Sequence, residues 1–142
     1  MRLWHIDILP YLPKSQLLAQ WRELNSIFKK QDKHILINYV YRQPTELSLY
    51  TDDVIEQMQN RGYKIKSLNN YKKYFADKTI IVFNSKAKFI EHNDKYLLIC
   101  FMNLYEKYIR GQKDFDKATF NKLYDFVNTK FDLKSLGINK EN

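Results

Sequence analysis

Leu17, Trp21, Leu24 and Phe28 recur at intervals of four, three and four residues, with Leu18 beside them. That spacing draws one apolar stripe along a helix, and a helix with such a stripe has to dock it on a core. Pro10 and Pro13 stand just upstream and stop the helix from running back to the start of the chain. Residues 1–13 alternate apolar and polar groups around Leu3, Trp4, Ile6, Ile8 and Leu9, which predicts an extended arm pinned on that core. Away from the stripe, Gln16 and Glu23 lie on the same side of the helix, about two turns or roughly 10 Å apart. Arg22 sits one residue round. A carboxylate beside a guanidinium has two readings: an ordinary surface ion pair, worth little, or part of a nucleic-acid site.

Helical signals return downstream. Thr51-Asp52-Asp53 reads as a helix start, with Val54, Ile55 and Met58 inward and Gly62 as the stop. Asp94 to Arg110 buries Leu97, Phe101, Leu104 and Tyr108 and ends at Gly111, leaving Asn103, Lys107 and Arg110 on an outward row. That row is either a solvated face or a line of phosphate contacts. Phe115 to Phe131 is a last amphipathic helix, and the polar tail at 137–142 should fray. Between these, His34 to Tyr41 reads as a short buried helix or as extended structure. Thr79-Ile80-Ile81-Val82-Phe83 is the most strand-like window, and it has to pair with another segment or form a short buried helix. The fold expected is mainly α: one compact domain over residues 1–142, about four helices, an extended N-terminal arm, and a short strand-like segment near 79–83.

With 24 Lys and Arg against 16 Asp and Glu, the 142-residue chain carries a formal net charge of +8, which suits a polyanionic partner. Its 11 Tyr and 9 Phe supply enough apolar area for a globular core and argue against a disordered basic tail. The single cysteine, Cys100, lies in an apolar run and reads as an inert core thiol. His5, His34 and His92 are scattered, no paired cysteines occur, and the 3 glycines form no phosphate loop, so neither a metal nor a cofactor is expected. No apolar run reaches the ~18 residues that span a bilayer, and no signal-peptide core is present, so a cytoplasmic protein without membrane contact is expected.

Gln16-Leu17-Leu18-Ala19-Gln20-Trp21-Arg22-Glu23-Leu24 resembles the first helix of the pyrimidine-dimer DNA glycosylases of the phage endonuclease V type. Met1-Arg2-Leu3-Trp4-His5, Asn38-Tyr39-Val40 and Arg61-Gly62-Tyr63-Lys64 resemble a bacterial branch of the same family. The likeness runs over about residues 1 to 64 and is weaker around Leu97 to Lys107, where Leu104, Glu106 and Lys107 fit a Leu-x-Glu-Lys element. Lys33-His34 resembles a Lys-His pair at the same distance after the first helix.

The resemblance implies a DNA repair glycosylase with abasic-site lyase activity. The α-amine of the first residue, here Met1, attacks C1′ of the damaged nucleotide and forms an imine, and Glu23 acts as acid/base and charge stabiliser. Arg2, Gln16, Arg22, His34, Lys107 and Arg110 become DNA contacts. The implied partner is double-stranded DNA carrying a pyrimidine dimer or an abasic site, bound by a monomer. A chain terminus suits this chemistry because its pKa of about 7.7 to 8 leaves roughly a fifth to a third of it neutral near pH 7.4, against about a thousandth of a lysine. Arg2 stands where the phage-type enzymes expose a processed Thr, and Ser26 and Asn103 replace phosphate-binding arginines. The competing class is a non-catalytic basic nucleic-acid-binding or regulatory protein on the same scaffold; a weaker third is a basic helical protein-interaction module.

Overall fold

The computed structural model describes residues 2–82 and 86–142. Among them are five α-helices, α1 (Lys14–Lys30), α2 (Pro44–Asn60), α3 (Asn69–Phe75), α4 (Asp94–Ile109) and α5 (Lys117–Asn128), and no strand. The mainly helical, single-core architecture is the one the periodicity predicts. Three 3-10 helices, Ile6–Tyr11, Asn38–Arg42 and Leu133–Leu136, fill in the connections. Thr79 to Val82 are irregular, with Ile81 N–H donating to Thr45 Oγ1 at 3.1 Å; Phe83, the end of the strand-like window, lies outside the described residues.

The N-terminal segment is a core element rather than a simple arm. Residues 2–5 have no regular secondary structure, but Ile6–Tyr11 coils into a 3-10 helix with Pro10 inside it. Leu3, Trp4, Ile6, Ile8, Leu9 and Leu12 are all buried. The prolines exclude a long α-helix, yet a short 3-10 helix of about two turns forfeits only the bond that Pro10 cannot donate. Arg61 satisfies the carbonyls left over at its C-terminal end, donating to Leu12 O at 2.7 Å, Pro10 O at 3.1 Å and Leu9 O at 3.3 Å. This 3-10 helix packs on both α2 and α5 and so joins two halves, α1 with α2 and α3, and α4 with α5.

α2 begins seven residues before the expected start. Pro44 occupies its first turn, where a missing N–H is harmless and φ is already helical. Thr51 is an interior residue whose Oγ1 donates back to Leu47 O at 2.8 Å, so the hydroxyl expected to cap is absorbed within the helix. The end is as expected: Gly62 takes φ +79°, and Tyr63 N–H returns to Met58 O at 2.9 Å.

Aromatic packing joins the remaining pieces. Phe28 at the end of α1 meets Tyr71, Tyr74 and Phe75 of α3 at ring separations of 5.9, 5.2 and 5.5 Å. Tyr108 of α4 stacks on Phe120 of α5 at 4.2 Å. Behind the N-terminal segment, His5 and His92 stack 5.5 Å apart, and His92 Nε2 shares a 2.6 Å hydrogen bond with the Tyr39 hydroxyl. Burial, with the neighbouring His5 acting in the same direction, pushes His92 down to about 3 and keeps it neutral. Cys100 is buried and its thiol is pushed up by that burial, as expected of an inert thiol. The tail is tied down rather than frayed: Ile138 is buried, its carbonyl accepts from Tyr124 Oη at 3.0 Å, and Asn121 exchanges hydrogen bonds with Glu141.

Candidate functional site

One turn after another, Gln16, Ala19, Gln20 and Glu23 come round on a single face of α1 and form the floor of a cleft of about 360 Å³. The N-terminal segment supplies Arg2 and Trp4, the connector after α1 supplies Leu36, and α4 supplies Asn103 and Lys107. Glu23 is the one carboxylate in this lining, and the cations Arg2 and Lys107 line the same cleft from two walls.

Gln20 explains why Arg2 and Trp4 lie here. It is a polar residue within the apolar stripe, three after Leu17 and four before Leu24, and it is buried. Its Oε1 accepts from Trp4 N–H at 2.7 Å and from the Tyr50 hydroxyl at 2.9 Å, while its Nε2 donates to the Arg2 carbonyl at 3.2 Å. Tyr50 also donates to Trp4 O at 2.7 Å, and Tyr96 of α4 donates to Leu3 O at 2.5 Å. Backbone groups of Arg2, Leu3 and Trp4 are thus each held by a side chain. The sequence signal for this clamp was the interruption of the apolar stripe by Gln20; its partners, 16 to 30 residues away, carried none.

Glu23 Oε1 is buried and has no hydrogen-bond partner among the described residues. Burial raises its pKa above the ordinary carboxylate value; Asp32 acts in the same direction and a protonated His34 against it. A carboxyl in that condition exchanges protons more readily near neutrality than an exposed one. Gln16 is oriented by its neighbours: its Nε2 donates to Gln112 Oε1 at 2.8 Å, and Gln112 in turn contacts Ser15 Oγ and Asp114 Oδ1 at 3.1 and 2.8 Å. Asp114 also accepts from Ser15 N–H at 2.6 Å, satisfying a free donor in the first turn of α1.

The expected site residues do not all converge. Arg2, Gln16, Glu23 and Lys107 line the cleft together. Arg22 does not: one residue is roughly 100° of helical rotation, and Arg22 instead lines a separate groove with Trp21, Lys64 and Lys66. Arg110 pairs with Glu106 at 3.4 Å on the exposed end of α4, one turn beyond Lys107. His34 is exposed on the connector, its Nδ1 accepting from Leu36 N–H at 3.1 Å. Met1 lies outside the described residues. No three His, Cys, Asp or Glu side chains among the described residues come close enough to hold a metal ion, and no helix there is long and apolar enough to cross a membrane.

Residues 1–70 match the family model described as pyrimidine dimer DNA glycosylase. Over those residues the chain is similar to this family. No curated protein and no solved structure matches it. The glycosylase match takes in the N-terminal segment, α1 and α2, and so carries Glu23, the Gln20 clamp and its Tyr50 partner. Asn103 and Lys107 close the cleft from beyond it.

Proposed function

We propose that the protein is a DNA repair glycosylase acting on pyrimidine dimers, with abasic-site lyase activity, and that its nucleophile is the α-amine of Met1. The observation that carries this reading is Glu23, whose Oε1 is buried and unpartnered among the described residues, in the cleft where the second residue of the chain is tied. One peptide separates Arg2 from the first residue, a Cα spacing of about 3.8 Å. The family match supplies the substrate class.

The amine nitrogen bonds to C1′ while the glycosidic C1′–N bond breaks and the base departs with a proton. Opening of the C1′–O4′ bond, with a proton delivered to O4′, leaves an imine at C1′. Loss of a C2′ proton expels the 3′ phosphate, and water then hydrolyses the imine and returns the amine. Glu23, as carboxylate, stabilises positive charge developing at C1′ and carries the protons that these steps move. Arg2 and Lys107, entering from two walls, contact the flanking phosphates, and Gln16 lies between them on the floor. His34 contacts phosphate from the connector. Arg22 and Arg110 contribute long-range attraction to the duplex and lie apart from the reacting atoms.

Borohydride reduction in the presence of UV-irradiated or abasic duplex tests the reading. A covalent protein–DNA adduct is expected with both, lost on N-terminal acetylation and on Glu23→Gln. No adduct with either duplex, from protein with a free amine at Met1, ends the enzyme reading and leaves a basic DNA-binding scaffold.

A further inference from the structure

The connector between α1 and α2 carries an apolar tip in a basic collar. Ile35 is 80% exposed and Leu36 42%, whereas Ile37 is completely buried. Lys29, Lys30, Lys33 and His34 lead up to the tip and are all exposed. The loop is anchored on both sides. The Tyr41 hydroxyl donates to the Asp32 carbonyl, His34 O accepts from Ile37 N–H at 3.0 Å and Asn38 N–H at 2.9 Å, and Leu36 N–H reaches His34 Nδ1. Leu36 is itself a wall of the Glu23 cleft.

A fixed turn that holds a β-branched side chain out in water beside a catalytic cleft does nothing for the core. The collar excludes a basic partner and suits a polyanion. The apolar faces open to such a tip in a duplex are the bases, and side chains of this kind enter base steps and unstack them. We propose that Ile35, supported by Leu36, is a wedge that enters the base stack of a duplex held over the cleft. This role rests on the DNA-repair reading above. It addresses a requirement of that chemistry: C1′ of a stacked nucleotide is out of reach until the helix opens.

The wedge can be measured without turnover. A duplex containing a tetrahydrofuran abasic analogue, with 2-aminopurine at the neighbouring base, reports unstacking as a rise in fluorescence on binding. Ile35→Ser should abolish most of that rise and slow single-turnover cleavage of dimer-containing duplex by about tenfold. Ile35→Met should retain both. Affinity for undamaged duplex and its salt dependence should stay at the wild-type level, since no cation has changed. Because Ile35 is exposed, the variants should melt with the wild type. An unchanged fluorescence rise and cleavage rate in Ile35→Ser, or no duplex binding by the wild type, overturns the wedge. Failure of the enzyme reading looks different: an Ile35-dependent fluorescence rise with no borohydride adduct.

Discussion

Replacing Gln20 by Met separates the clamp from the shape of the helix face, because the two side chains have similar length and volume while Met offers no amide. The buried Trp4 N–H then loses its acceptor, at a cost of about 1–3 kcal/mol, and the half-buried Arg2 carbonyl loses its donor for about 1 kcal/mol more. Tyr50 keeps the Trp4 carbonyl as acceptor at 2.7 Å, so its hydroxyl adds little. The sum, about 2–4 kcal/mol, corresponds to a melting point lower by roughly 5–15 °C for a chain of this size. Leu3 and Trp4 still fill their places in the core, so the segment should stay docked but lose its polar registration. A displacement of about 1 Å in a reacting group costs about a hundredfold in rate. Urea unfolding measures the first effect. Single-turnover borohydride trapping on abasic duplex, at a temperature where the variant is fully folded, measures the second. Tyr50→Phe is the comparison: it removes the single hydroxyl donor shared between Trp4 O and Gln20 Oε1 but leaves Gln20 on Trp4 and Arg2, so about 1–2 kcal/mol should go with only a few-fold loss of rate. A folded Gln20→Met protein that traps at the wild-type rate would refute the link between this clamp and the position of the nucleophile.

Other perturbations probe the cleft and the scaffold separately. Asp53, on α2, has an Oδ2 buried without a partner among the described residues, and burial, helped by Glu56, raises its pKa from 3.8 to about 6. The folded state therefore binds that proton more tightly than the unfolded one, and the charged form is penalised fully above about pH 6 and not at all below 3.8. The rise sets a ceiling of about 3 kcal/mol, which solvent screening reduces to about 1 kcal/mol. Asp53→Asn should accordingly stabilise the protein by about that much at pH 8 and leave it unchanged at pH 3.5, read from urea midpoints at the two pH values. Lys107→Ala should flatten the dependence of log K on log salt by about 0.9 for duplex DNA and slow trapping, whereas Arg22→Ala, facing the other groove, should leave trapping within about twofold; equal rate losses would place both on the reacting nucleotide. Ile138→Ala should cost about 2–4 kcal/mol because the side chain is buried, and a value near zero would show the tail to be dispensable in solution.

What the sequence revealed and what it hid divide along sequence separation. The stripe through Leu17, Leu24 and Phe28 was legible because side chains a turn apart on one helix report each other, and the same periodicity put Gln16 and Glu23 on one face. Trp21 does pack against the core but stays half-buried, whereas Gln20 and Ile27, which the stripe leaves out, are buried; hydrophobicity alone favours an indole over an amide, and the backbone groups of Arg2 and Trp4 make an amide the better core residue at Gln20. Thr51 looked like a cap because nothing local shows that a helix has already begun at Pro44. The outward row of α4 was correct as a row, but its function depends on where α4 lies: Asn103 and Lys107 meet the α1 face, while Arg110, at the helix end, turns to Glu106. The family match ends at residue 70, before α4 begins at Asp94. The carboxylate and the clamp thus belong to the matched part, and one of the two cationic walls does not. If the chemistry is that of the family, substitutions at Asn103 and Lys107 should alter which damaged duplexes are bound far more than whether an imine forms at all.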